Sequence, residues 1–105
     1  MTHMHASLVI YERELQVDYE HDVAGPVAID EHCEVVAKLT LNRFDDHELI
    51  QEIGLAVFFH GMRSIRLCIV NEDEVEFNGV LYAAPPPVDD FSCNYRYMFR
   101  VDNDG

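Results

Sequence analysis

The chain has 105 residues, 49% of them hydrophobic, with 20 Asp and Glu against 7 Lys and Arg and a formal net charge of -13. That length is one domain over residues 1–105, apolar enough to pack a core. The charge argues against direct nucleic-acid binding, which needs cations to replace the counterions around phosphates, and against anionic membrane surfaces.

No apolar run approaches the ~20 residues that span a bilayer. The opening Met1-Thr2-His3-Met4-His5 has neither the basic start nor the apolar stretch of a signal peptide, so a reducing cytoplasm is expected. Cys33, Cys68 and Cys93 are odd in number and widely spaced, which does not suggest a disulfide framework. Self-repulsion of this size is a burden on a small domain, so the charge is expected to have a use.

Residues 8 to 20, LVIYERELQVDYE, alternate with period two. Val9, Tyr11, Leu15, Val17 and Tyr19 share one parity; Glu12, Glu14, Gln16, Asp18 and Glu20 share the other. This predicts either one long strand with a buried face or a tight hairpin turning at Glu12-Arg13. Gly25-Pro26 is expected to end the segment. Residues 33 to 43, CEVVAKLTLNR, predict another strand, with Val35, Ala37, Leu39 and Leu41 on its apolar face.

The period then changes. Asp45 and Glu48 have the spacing of a capping box, and Phe44 and Leu49 that of a hydrophobic staple. A helix is predicted from about Asp46 to His60, stopped by Gly61, with an acidic first turn suited to the positive end of the helix dipole. Gly54 in mid-helix is expected to permit close backbone packing. Residues 65 to 70, IRLCIV, predict a strand. Asn78-Gly79 between short β-prone runs predicts a hairpin, and Pro85-Pro86-Pro87 a stiff connector. The last strand, residues 94 to 101, sets Tyr95, Tyr97, Phe99 and Val101 on one face and Arg96, Met98 and Arg100 on the other. The expected class is α+β: a mostly antiparallel sheet of about five or six strands with one central helix packed on one face.

Three acidic clusters stand out. Glu12, Glu14, Asp18 and Glu20 are expected on one strand face at about 6.6 Å per step. Asp45, Asp46, Glu48 and Glu52 gather near the helix start; Glu72, Asp73, Glu74 and Glu76 form the third cluster. One reading is a surface that imitates the charge of a nucleic-acid backbone and occupies a basic groove on a protein. The other is a solvated face whose charges discourage edge-to-edge aggregation. Salt adaptation is a third reading, ranked below both.

His21, His32, Cys33, His60, Cys68 and Cys93 are potential metal ligands, but the short paired spacings of a structural zinc site are missing. Cys33 and Cys68 read as small core residues. Ser7, Ser64 and Ser92 sit in no nucleophile motif, and there is no Gly-rich phosphate loop, so neither an enzyme nor a cofactor is expected. Tyr95, Tyr97 and Phe99 read as core rather than as a base-stacking platform, with Arg96 and Arg100 pairing with acids on a neighbouring strand. Phe58 and Phe59 are adjacent and cannot both point the same way. Either one is exposed as the anchor for a partner or a homodimer, or the helix is buried on both sides; both alternatives stand.

The opening VIYERELQVDYEHDVAGP resembles the N-terminal hairpin of many small acidic proteins encoded by bacteriophages, with Glu12 in place of a frequent turn glycine. LTLNRFDDHELIQEIG is similar to their continuation, a strand followed by a capped acidic helix. The resemblance covers about the first half of the chain. It implies a non-enzymatic viral inhibitor acting in the host bacterial cytoplasm, of the kind that blocks CRISPR surveillance complexes or restriction enzymes. The alternatives are an immunity protein that neutralises a basic nuclease toxin, and a small metal- or thiol-dependent enzyme using His60, Cys68 or Cys93.

Overall fold

Tyr11 makes the first reversal of the chain. The computed structural model describes residues 4–29, 34–71, 75–84 and 93–101. In it, β1 (His5–Ile10) and β2 (Arg13–Val17) are joined by a two-residue turn at Tyr11-Glu12. Of the two expected alternatives the chain adopts the hairpin, turning one residue earlier than Glu12-Arg13. Tyr11 has φ 58°, a left-handed conformation in which a Cβ is crowded. Its N–H donates to the Ser64 carbonyl at 2.8 Å, which holds the turn in place.

A two-residue turn exchanges the parities of the flanking strands. Leu8 pairs with Leu15 and Ala6 with Val17. The buried residues of β1 are therefore Ala6, Leu8 and Ile10, not Val9 and Tyr11. The single uninterrupted parity predicted over residues 8 to 20 does not exist.

Asp18 next caps α1 (Tyr19–Asp22), its Oδ1 accepting from the N–H groups of Glu20 and His21. β3 (Val23–Ile29) follows and contains Gly25-Pro26, a cis peptide, instead of stopping at it. Gly25 has φ +107°, and a Cβ there would meet the Val36 carbonyl oxygen at 2.9 Å, so only glycine fits this irregular pairing with the next strand. That strand, β4 (Glu34–Asn42), buries Ala37, Leu39 and Leu41 as predicted, while Val35 is only half-buried and Val36, on the other parity, is buried.

α2 (His47–His60) begins one residue later than expected and ends at Gly61, whose φ of 87° and N–H bond to the Val57 carbonyl close the helix. A 3-10 turn, Met62–Ser64, leads into β5 (Ile65–Val70). The last two strands are β6 (Val75–Ala83) and β7 (Asn94–Val101).

β6 corrects a second expectation. Asn78-Gly79 is not a turn; it lies within a continuous strand, opposite Cys68 and Leu67. The chain reverses between Val70 and Val75, which pair. The glycine is required for space. A Cβ on Gly79 would collide with the Phe77 ring and lie 2.8 Å from the Arg100 carbonyl oxygen on β7. Pro85-Pro86-Pro87 lies outside the described residues.

The strands form one antiparallel sheet of seven in the order β2-β1-β5-β6-β7-β4-β3. The α+β class holds, with seven strands among the described residues in place of five or six, and a second, 4-residue helix among them. The two edge strands, β2 and β3, are joined only by Asp18 and α1. Laid flat, seven strands would put those edges about 29 Å apart. A connector with four helical residues reaches only about 13 Å. The sheet therefore curls toward itself. Its concave side is filled by Leu8, Leu39, Leu67 and Phe99, all fully buried, and α2 adds Ile53 and Ala56 to the same core.

Candidate acidic interface

The first acidic cluster does not form a strand stripe. Glu14 stands on β2, Glu12 in the turn, Asp18 at the helix cap and Glu20 on α1; all four are exposed. The expected regular spacing fails because the chain turns at Tyr11-Glu12 and becomes helical after Asp18.

At the start of α2 the capping box between Asp45 and Glu48 is replaced by a lock between Asn42 and Asp46. Asp46 is the cap residue, but its carboxylate makes no bond to the helix amides. Instead its Oδ2 accepts from the Asn42 N–H at 2.8 Å, while its own N–H donates to the Asn42 carbonyl at 2.9 Å. The Asn42 Oδ1 accepts from the N–H groups of Phe44 and Asp45 at 2.8 and 3.0 Å, a side-chain turn that takes Asp45 out of the capping position. Phe44 is 70% exposed, so the predicted staple is not closed over it. Asp45 and Glu48 are exposed as well.

Glu52 is partly neutralised. Its Oε1 accepts from Arg13 Nη1 at 2.7 Å, joining β2 to α2 across the surface. Between these elements lies an open groove of about 520 Å³ lined by Arg13, Leu15, Asp45, Asp46, Glu48 and Glu52.

The structure adds Asp22, at the end of α1, to the acidic residues. Burial raises its pKa first, and the nearby Asp46 and Asp18 carboxylates raise it further. Asp46, just before α2, is thus within electrostatic reach of Asp22 at the end of α1, which Asp18 caps. The available signal was the i, i+4 spacing of Asp18 and Asp22, which matters only once α1 is recognised as a helical turn.

Glu72, Asp73 and Glu74 lie outside the described residues. Glu76 is exposed on β6 and accepts from Asn71 Nδ2 at 2.7 Å.

On β7, Tyr97 and Phe99 are buried as predicted. Burial, and then Tyr95, push the Tyr97 hydroxyl up to about 12. Arg100 lies 3.6 Å from Glu34 of the neighbouring β4 and over the Tyr82 ring, as expected of a cross-strand cation. Arg96 stands opposite Thr40.

Cys68 departs from its expected place in the core. It faces away from the buried side of β5, level with Ser7 and Asn78, and is half-buried. Burial and Glu14 raise its pKa, with Arg66 opposing, so its reactive thiolate is disfavoured. Cys93 is exposed, while His32 and Cys33 lie outside the described residues. His21 Nε2 is 3.8 Å from Asp18 Oδ2, and His60 stacks on Tyr11 with ring centroids 4.0 Å apart. Among the described residues no three His, Cys, Asp or Glu side chains are grouped to hold a metal ion.

Both aromatic residues near the end of α2 are exposed. Phe58 is 80% and Phe59 69% exposed, their rings edge to face, with Leu55 at 55% one turn earlier. The sequence allowed one exposed ring or none. Among the described residues no helix is long and apolar enough to cross a membrane. Comparison with protein-family models, with curated proteins and with solved structures finds no match to this chain.

Proposed function

We propose that this protein is a non-enzymatic inhibitor that occupies a basic, nucleic-acid-binding surface of another protein with its acidic end. The contact residues are Asp18, Asp22 and Asp46, flanked by Glu12, Glu14, Glu20, Asp45, Glu48 and Glu52. The observation that carries this reading is the electrostatic coupling of α1, with Asp18 at its cap and Asp22 at its end, to Asp46 just before α2: after burial, both carboxylates raise the pKa of Asp22. Like charges brought together are a cost that binding to a cationic surface relieves.

The mechanism is competition. A net charge of -13 attracts a basic partner over several ångströms and speeds encounter. Once docked, the carboxylates stand where phosphates otherwise bind. With the resemblance to small acidic bacteriophage proteins, the proposed target is host machinery that handles DNA, a CRISPR surveillance complex or a restriction enzyme, in the host cytoplasm. A purified surveillance complex and a purified restriction enzyme, each tested by DNA-binding competition with the wild type and with the triple variant Asp18→Asn, Asp22→Asn, Asp46→Asn, provide the test. Displacement of DNA by the wild type at low salt, lost in the variant, supports the reading; no displacement from either target contradicts it.

A further inference from the structure

The outer face of α2 carries an apolar patch on a strongly acidic chain. Leu55, Phe58 and Phe59 are 55%, 80% and 69% exposed and lie at the i, i+3 and i+4 positions that bring helix residues together. The opposite face of the same helix, Ile53 and Ala56, is buried. The patch is therefore additional to the one that fixes the helix on the sheet. Two phenyl rings and a leucine exposed to this degree present roughly 350 Å² of apolar surface. That is nearly half of what each partner contributes to a standard protein interface.

We infer that this face binds the same face of a second copy of the chain, with the two α2 helices antiparallel across a two-fold axis. The inference goes beyond the proposed function and stands without it. Charge is unevenly placed along the helix, although the net charge of -13 repels a second copy as well and the apolar contact has to outweigh it. Asp18 and Asp22 lie on α1 and Asp46 just before α2, whereas Phe58 and Phe59 lie at the other end of α2. A cationic partner is drawn to the carboxylates and finds aromatic rings here instead. Anionic lipid is repelled by the whole protein.

A two-fold arrangement suits the charges along the helix. Glu48 lies in the first turn and His60 in the last, with Arg63 just beyond. Centred on this patch, antiparallel pairing overlaps only the last part of each helix and points the acidic start of each past the end of the other, towards its Arg63. Leu55, Phe58 and Phe59 then form the dry centre, with Glu48, Gln51 and Arg63 at the polar margin.

Sedimentation velocity on the full chain tests this, from 5 µM to 500 µM, in ~20 mM and ~500 mM NaCl. The expected result is a concentration-dependent dimer that is tighter at high salt, because salt screens the repulsion between two chains of -13 while leaving the apolar contact intact. Phe58→Glu is expected to weaken the dimer at least roughly tenfold. Its ring is 80% exposed, so the fold, checked by circular dichroism, is expected to be unchanged. Phe58→Ser adds no charge and is expected to weaken the dimer as well. A monomer at 500 µM in high salt overturns the inference. So does a dimer that neither variant weakens, or a chain that stays monomeric and binds neutral phosphatidylcholine vesicles through this face.

Discussion

The Asp46 carboxylate raises the pKa of Asp22, although the two residues belong to different helices and are well separated in the chain. Burial of Asp22 contributes more than Asp46, and Asp18 adds a third, smaller effect. In the unfolded chain Asp22 ionises at its ordinary value; in the folded protein it keeps its proton to higher pH. Stability therefore falls as pH rises through that interval and remains lower above it. Asp22→Asn is expected to melt at a higher temperature than the wild type at pH 7 and at about the same temperature at pH 2, where the carboxyl is protonated in both states. Thermal denaturation at the two pH values checks this; equal melting at pH 7 contradicts the repulsion.

The Tyr97 hydroxyl gives the opposite end of the pH profile. Burial lifts its pKa to about 12, while the unfolded side chain ionises near 10. Its contribution is intact below pH ~10 and is lost as pH rises towards 12, a swing of about 2–3 kcal/mol. Tyr97→Phe is expected to keep more of its stability over that range. Urea unfolding at pH 8, 10 and 11.5 measures the difference.

Gly79 and Gly54 are expected to respond in opposite ways to alanine. At Gly79 the added methyl meets the Phe77 ring and the Arg100 carbonyl oxygen, so Gly79→Ala should cost about 1–3 kcal/mol through overpacking. At Gly54 a Cβ meets nothing within 4 Å, and the position is helical and exposed, so Gly54→Ala should stabilise by about 1 kcal/mol. Denaturant midpoints of the two variants check both signs. The second outcome also corrects the expectation that Gly54 serves close packing.

Strands with one buried face were legible in the sequence. β4, β5 and β7 alternate because one side of each packs on the core; most of the inward residues of β4 and β7 emerged as expected, whereas on β5 the strand was legible but Cys68 faces away from the core. β1 and β2 were harder, because a two-residue turn at Tyr11-Glu12 exchanges the parities and mimics one long alternation. β3 was missed because Gly25-Pro26, ordinarily a breaker, sits inside an irregular edge strand. Asn78-Gly79 has the composition of a turn, yet its glycine answers to the Phe77 ring and to β7, neighbours that only the folded sheet supplies. The same holds for the acidic site. Asp18 and Asp46 could be named from the sequence, but Asp22 joins them only once α1 is formed and placed within electrostatic reach of Asp46.

The most direct test of the acidic end immobilises the chain and passes over it a nuclease-treated bacterial lysate at ~50 mM NaCl, followed by duplex DNA as the eluent. The account predicts that basic nucleic-acid-binding proteins are retained, released by the DNA and by ~500 mM NaCl, and retained at least roughly tenfold less by the triple variant Asp18→Asn, Asp22→Asn, Asp46→Asn. Retention that neither duplex DNA nor salt releases, and that the triple variant leaves unchanged, would contradict it.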